Sequence, residues 1–240
     1  MNKEKIKLKD ETTKFDEDVK YHSFIKKLKK TNISTEDILQ HFSAYSGHVN
    51  LSRIFTFYEI YKKVLGINGH IAEIGVWKGA SFLLFAKLIK IFEPYSNTIV
   101  HGFDNFEGMK PSTQESKFIK NKSYISSFAK TNKLIDDQSL SNIAKIHKID
   151  VTKDLSKFSK IYKSTCFKLV FFDCGTYEVV NAALPFFWER LLPGGIMLFD
   201  QFNYEVAHGE TIAVRNILKN QKIHTIPWTR SPSGYIIKQI

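Results

Sequence analysis

Hydrophobic positions along this chain change period after the first quarter. From Thr35 to about Leu65 apolar residues recur at helical spacing: Ile38, Leu39 and Phe42, then Leu51, Ile54, Phe55, Tyr58, Tyr61 and Leu65. That spacing predicts two helices parted near Gly47, the first opening at Thr35 with Glu36 and Asp37 in its first turn. Beyond Gly66 and Gly69, short apolar runs alternate with longer amphipathic ones. Strands are predicted over 71–74, 98–103, 143–149, 167–172 and 196–199, and helices over 80–92, 177–192 and 210–220. Such alternation predicts an α/β fold, Rossmann-like, with a mostly parallel sheet and helices on both faces. Pro185 falls inside the second of these helices, where a missing N–H kinks or divides it. Around Pro227, Pro232, Ser233 and Gly234 the pattern returns to two strands, 223–226 and 235–238, joined without a helix, so an antiparallel ending is expected. The stretch from Pro111 to Ser141 is polar, and its pattern places no element.

The chain has 240 residues, 43% hydrophobic and 25% charged, which suits one sizeable domain. Residues 1–45 read as a charged leader followed by a cap helix, and 46–240 as the main domain. The 35 basic residues against 24 acidic ones give a net charge of +11. Arg53, Arg190, Arg215 and Arg230 are the only arginines in that total, whereas bidentate phosphate and base readout favours arginine. A lysine-rich solvated surface is therefore expected rather than a nucleic-acid face. Cys166 and Cys174 lie near one apolar run, no secretory pattern opens the chain, and no apolar stretch is long enough for a membrane span. A reducing cytoplasm and no membrane partner are expected.

In an open parallel sheet ligands bind beyond the carboxyl ends of the strands, where loops and helix N-termini converge. The residues at those ends are Glu73 with Gly75 and Gly79, then Asp104, Asp150, Asp173, and Asp200 with Gln201. Five carboxylates are thus expected on one rim. In E-I-G-V-W-K-G-A-S, residues 73–81, Gly75 permits a sharp turn and Gly79 a close helix start. Asp104 falls where a carboxylate can take both hydroxyls of a ribose. The spacing G-x-x-x-G, with Trp77 inside it, departs from the G-x-G-x-x-G that brings a pyrophosphate onto bare backbone, which disfavours NAD. Five rim carboxylates repel a polyphosphate but suit a cationic nucleoside such as S-adenosylmethionine. Glu73 would then sit near its methionine end, Asp104 at the ribose, and Asp150 with Val151 at the adenine.

The segments E-I-G-V-W-K-G-A-S, H-G-F-D-N-F-E-G-M (101–109), F-F-D-C-G-T-Y-E (171–178) and L-P-G-G-I-M-L-F-D-Q-F (192–202) together resemble the class I S-adenosylmethionine-dependent methyltransferases. Within them they resemble the macrocin O-methyltransferase group, which methylates sugar hydroxyls. The resemblance runs from about Asn50 to Arg215. It implies a seven-stranded sheet closed by an antiparallel C-terminal strand, and S-adenosyl-L-methionine held by Glu73, Gly75, Gly79, Ser81, Asp104, Asn105, Asp150, Val151 and Asp173. It further implies a magnesium ion (Mg2+) on Asp173, Asp200 and Gln201, a hard-oxygen donor set. Two positions depart from the pattern: Gly175 stands where the group has a second Asp, a proton acceptor, and Gln201 where it has the second of two paired Asp. The general base is thereby open between Asp173 and a histidine, His208 or His101.

Phe186, Phe187 and Trp188 read as helix residues packed on the sheet, Pro193, Gly194 and Gly195 as a helix stop and turn, and Cys174 as a bystander. The function expected is O-methylation of a small polar metabolite, a sugar or nucleotide-linked compound, with a homo-oligomer left open. The alternatives are a nicotinamide-dependent oxidoreductase and a noncatalytic nucleoside-binding module.

Overall fold

A computed structural model describes residues 23–115 and 119–239. Most of the expected leader lies outside the described residues; from it a helical segment at 23–28, α1, is described. The helical stretch ahead of the sheet forms three pieces instead of two: α2 (Thr35–Gln40), α3 (Phe42–Tyr45) and α4 (His48–Lys63). Ser34 caps α2, its hydroxyl accepting the Asp37 amide at 3.0 Å. His41 leaves helical geometry and separates α2 from α3, and Gly47 is the N-cap of α4.

Strand and helix then alternate: β1 (His70–Ile74), α5 (Ala80–Phe92), β2 (Val100–Asp104), α6 (Phe128–Asp137), β3 (Ala144–Lys148), α7 (Leu155–Ile161), β4 (Phe167–Phe172), α8 (Tyr177–Arg190), β5 (Leu191–Phe199), α9 (His208–Ile217) and β6 (Gly234–Ile237). The strand order is β3-β2-β1-β4-β5-β6, parallel throughout except for β6, which runs antiparallel to β5. Among the described residues the sheet thus has six strands, not the seven expected. The run expected at 223–226 contributes a single bridge, in which His224 and Tyr235 exchange hydrogen bonds of 2.8 and 2.9 Å. Pro227 follows at once and has no N–H with which to extend a ladder.

Two local expectations change. Pro193, Gly194 and Gly195 are not a turn ahead of a strand but lie inside β5, where the pairing with β4 shifts register between Phe167 and Leu169. Gly194, at φ 79°, still donates its amide to the Lys238 carbonyl at 2.8 Å, so the irregularity stays within the sheet. Pro185 does not divide α8, which runs unbroken from Tyr177 to Arg190.

Alternation along the central strands fills two cores. Leu169 and Phe171 of β4 face one layer with Phe57, Ile60 and Tyr61 of α4 and Phe82 and Phe85 of α5. Val170 and Phe172 face the other, with Val180, Leu184 and Phe187 of α8. Phe187 is wholly buried there, with Phe186 and Trp188 packed beside it, as expected of a helix face against the sheet. Every residue of β4 is buried, Lys168 included, and Lys168 pairs with Glu93 at 2.5 Å, at the strand end remote from the carboxyl rim. No described helix is long and apolar enough to cross a membrane.

A buried histidine cluster crosses the other face. His101 and His147 stack with ring nitrogens 3.0 Å apart, against Phe158 and Tyr162 of α7. Burial, together with neighbouring positive charge, lowers His101 to about 3 and His147 to about 4. The unfolded chain binds protons at these imidazoles near pH 6.5 while the folded one does not, so their stabilisation is complete above that pH and is lost as pH falls towards 4. Chemical denaturation at pH 7 and pH 5 is therefore expected to reveal a loss of about 1–4 kcal/mol, reduced when His101 and His147 are both replaced by Phe. An unchanged pH slope in that double variant would contradict the assignment.

Candidate active site

Beyond the carboxyl ends of β1, β2, β3, β4 and β5 opens a cavity of about 580 Å³, lined among others by Gly75, Trp77, Ser81, Asp104, Asn105, Asp150, Val151, Asp173, Asp200 and Gln201. Its mouth is set at the end of β1. Gly75 adopts φ 92°, and a Cβ there would collide with the Asp173 carbonyl oxygen, so the chain leaves β1 across the end of β4 with no room for a side chain. Gly79, at φ 84°, is the N-cap of α5. The sequence motif therefore has a steric reason at both glycines.

Asp104 organises the turn between them. Its Oδ2 accepts the amides of Val76 and Trp77 at 2.9 and 2.8 Å, and its Oδ1 accepts that of Phe106 at 2.6 Å. The carboxylate thus ties the end of β2 to the glycine turn, while still facing the cavity. Asn105 beside it accepts the Glu107 amide at 2.7 Å. At the far rim Asp150 accepts from Thr152 and pairs with Lys153 at 3.5 Å. Burial acts to raise the Asp150 carboxyl, but these hydrogen bonds and Lys153 prevail and hold it below its ordinary value. Val151, Ile149 and Phe103 supply apolar wall between the polar groups.

Glu73 does not reach the wall. It is fully buried under the turn, where Oε1 accepts the Ser81 hydroxyl at 2.8 Å and Oε2 has no hydrogen-bond partner among the described residues. Burial, then the charge of Asp173, push its carboxyl well above the ordinary range. Ser81, at the start of α5, is the group that faces the cavity, and Glu73 orients it.

The carboxylates after β4 and β5 are joined by a residue that sequence pattern did not select. Arg53, on α4, donates from Nη2 to Asp173 Oδ2 at 3.0 Å and from Nη1 to Asp200 Oδ1 at 2.6 Å. The side chains of Arg53, Asp173 and Asp200 remain 30, 28 and 11% exposed, enough to face the cavity. Burial and the charge of Asp200 raise the Asp173 carboxyl above its ordinary range, and Arg53 opposes the shift. Gln201 turns its Oε1 onto Gly175, where any Cβ would strike it, and that oxygen has no hydrogen-bond partner among the described residues. Gly175 and Gln201, the two departures noted in the sequence, are thus one steric arrangement. Asp173, Asp200 and Gln201 do come together, but the fit to magnesium fails: the guanidinium lies on both carboxylates, and the amide oxygen is packed against backbone. No cluster of three or more His, Cys, Asp or Glu with metal-holding geometry occurs among the described residues.

The histidines considered as bases lie elsewhere. His208 is half-buried, contacts the Glu205 carbonyl through Nδ1 at 3.0 Å and is not on the cavity wall. His101 is sealed in the core described above. Cys174 does line the cavity, but burial, followed by the charges of Glu210 and Asp173, raises its thiol well above the ordinary value, which removes a nucleophilic role. Glu210 of α9 is buried and accepts the Gln201 amide at 2.7 Å, and Glu115, from the stretch the pattern could not place, accepts the Tyr177 amide at the start of α8.

Residues 72–202 match the methyltransferase-domain family, and the chain belongs to that family. With the sheet order and the glycine turn this is the class I, S-adenosylmethionine-dependent type of methyltransferase. The fold is similar to that of CalS11, described as a calicheamicin methyltransferase, with a TM-score of 0.84, 21% identity, and coverage of 96% of this chain and 94% of that one. A second, apo structure of CalS11, described as a TDP-rhamnose 3'-O-methyltransferase, gives a TM-score of 0.77 at 22% identity, covering 96% of each chain. The O-methyltransferase NovP gives 0.63 at 16% identity, covering 82% of this chain and 84% of that one. At these identities the likeness is one of fold. A search of curated proteins gave no match.

Gly75→Ala is expected to destabilise the protein by more than about 1 kcal/mol, since it adds both a strained φ and a collision with backbone. Thermal unfolding of the variant checks this, and an unchanged midpoint would contradict the steric reading.

Proposed function

We propose that this methyltransferase transfers the methyl group of S-adenosyl-L-methionine to a hydroxyl of a small polar metabolite, a sugar or a nucleotide-linked sugar. The observation that carries the reading is the single cavity wall on which the Gly75 turn, Asp104, Asp150 and the Asp173–Arg53–Asp200 group converge. Gly75 and Ser81 would border the methionine part of the donor, with Gly79 starting the helix behind them and Glu73 fixing Ser81. Asp104 and Asn105 would meet the ribose, since Oδ1 of Asp104 accepts a single amide and keeps lone-pair capacity beyond it. Asp150 and Val151 would flank the adenine with the apolar wall of Phe103 and Ile149. Acidic groups along this rim favour a donor that carries positive charge.

The donor supplies an electrophilic methyl carbon: a C–O bond forms to the acceptor while the C–S bond breaks and its electron pair stays on sulfur. Asp173 is the proposed base, receiving the acceptor hydroxyl's proton on a carboxylate oxygen that faces the cavity. Its raised proton affinity suits that task better than an ordinary carboxylate. His208 has no such access, and magnesium forms no part of the reading. The net charge of +11 favours an acceptor that bears phosphate. The acceptor named for CalS11, TDP-rhamnose, is of that kind. Residues 46–240 form the proposed methyltransferase domain, with the helices before β1 and the stretch 111–141 bordering the acceptor.

Calorimetry with S-adenosylhomocysteine is expected to give saturable binding, weakened at least about tenfold by Asp104→Ala, which frees three loop amides. Tight binding of NAD with none of S-adenosylhomocysteine would favour an oxidoreductase instead. Asp173→Asn should lower turnover by about 10²–10⁴ while leaving that binding within a few fold. Occupancy without transfer of a labelled methyl group, across an acceptor panel that includes nucleotide sugars, would favour a noncatalytic module. With a phosphate-bearing acceptor, KM is expected to rise with ionic strength. A KM independent of salt would remove the phosphate from the proposal.

A further inference from the structure

We propose that the Arg53 guanidinium is the resident cation of the acceptor side of this site, standing where the sequence resemblance implies magnesium, so that methyl transfer by this chain needs no divalent metal. Three features support this reading. The first is the choice of ligand atoms: Asp173 Oδ2 and Asp200 Oδ1, from loops after two adjacent strands, both accept from one planar fork at 3.0 and 2.6 Å. A magnesium ion at its own bonding distance of about 2.1 Å would need the same carboxylates and would meet a fixed positive charge.

The second is the way Arg53 is held. Its guanidinium carbon lies 5.0 Å from the centroid of Phe57 and 5.7 Å from that of Phe171, both buried core rings. Nη1 also donates to Ser231 Oγ, which in turn donates to Asp200 Oδ1, each at 2.5 Å. Phe57 lies one turn along α4 from Arg53, so the helix that anchors the core also aims the fork. The third is the remaining ligand: Gln201 has its oxygen packed on Gly175 instead of turned towards the two carboxylates. An amide instead of a carboxylate at 201, the lack of a side chain at 175 and the guanidinium of Arg53 on the two remaining carboxylates are therefore mutually consistent. Arg53 acts as a positioning residue that holds Asp173 and Asp200 in register and offsets their repulsion.

The proposal rests on the methyltransferase reading for its kinetic arm, but its metal arm stands apart from it. Thermal unfolding of the wild-type protein is expected to be unmoved by MgCl2 or MnCl2 relative to NaCl of equal ionic strength, and turnover to be unmoved by EDTA. Arg53→Met should lose at least about tenfold in turnover while binding S-adenosylhomocysteine within about threefold of wild type. With its carboxylates uncovered, the variant should also gain a magnesium-dependent rise in Tm that the wild type lacks, a change that loss of packing alone would not produce. Arg53→Lys keeps the charge without the fork and should fall between the two in turnover. A wild-type Tm raised by magnesium, turnover abolished by EDTA, wild-type turnover in either variant, or an Arg53→Met protein as indifferent to the ion as wild type would each overturn the proposal. Should Arg53→Met fail to fold, the wild-type metal arm and Arg53→Lys still decide it. Failure of S-adenosylhomocysteine to bind the wild type would remove the methyltransferase reading and leave the metal arm to be judged alone.

Discussion

The backbone crossing between the ends of β1 and β4 is the constraint on which the site depends. Asp173 donates its amide to the Ile74 carbonyl at 2.8 Å, and Gly75 donates to the Phe103 carbonyl at 2.9 Å. Three neighbouring strands are thus locked at the point where the chain, having run outward through β2 and β3, returns to β4 on the other side of β1. Such a switch of direction leaves a crevice, because the loops on either side leave in opposite senses. Any side chain at Gly75 would fill the line of contact, and the crevice would lose its edge. The edge of the cavity at Gly75 and the placement of Asp173 on its wall are in this way two consequences of one backbone contact.

Charge is distributed around that crevice by use rather than by sign. Of the five carboxylates at the strand ends, Glu73 is under the floor and holds a serine, Asp104 holds a loop, and Asp173 and Asp200 share a guanidinium. Asp150 is braced by Thr152 and Lys153. A rim that looks strongly acidic in one dimension is therefore partly neutralised and mostly hydrogen-bonded in three, which is how several carboxylates can be close together at modest cost. What remains facing the cavity is a mixed surface, on which apolar side chains such as Phe103, Ile149 and Val151 stand beside these polar groups.

Much of this was legible in the chain itself. The short apolar runs and the glycine turn predict a parallel α/β sheet, and the boundaries of β4 and α5 agree residue for residue, because both are bounded by strong changes of polarity. Boundaries failed where hydrogen bonding, not polarity, decides: β5 begins at Leu191, ahead of a Pro-Gly-Gly segment that its neighbour β6 keeps in the sheet, and the run at 223–226 has its pairing cut short by Pro227. That Gly75, Ser81, Asp104, Asn105, Asp150, Val151, Asp173, Asp200 and Gln201 share one cavity wall could be foreseen because strand ends converge in any such sheet.

The sequence by itself determined the class of fold, the edge of the sheet at which the cavity opens and the acidic character of that edge, since each follows from local period and from the ends of strands. Tertiary structure alone decided what those acids do. Arg53 lies 120 and 147 residues from its two partners, on a helix whose periodic pattern reports only its buried face. Gly175 and Gln201 gain meaning only when their loops touch, and Glu73 is distinguished from its neighbours only by lying under the floor instead of on the wall. Period and spacing encode which way a residue faces relative to its own element. Contact between elements depends on how those elements pack, and no single segment of chain carries that information.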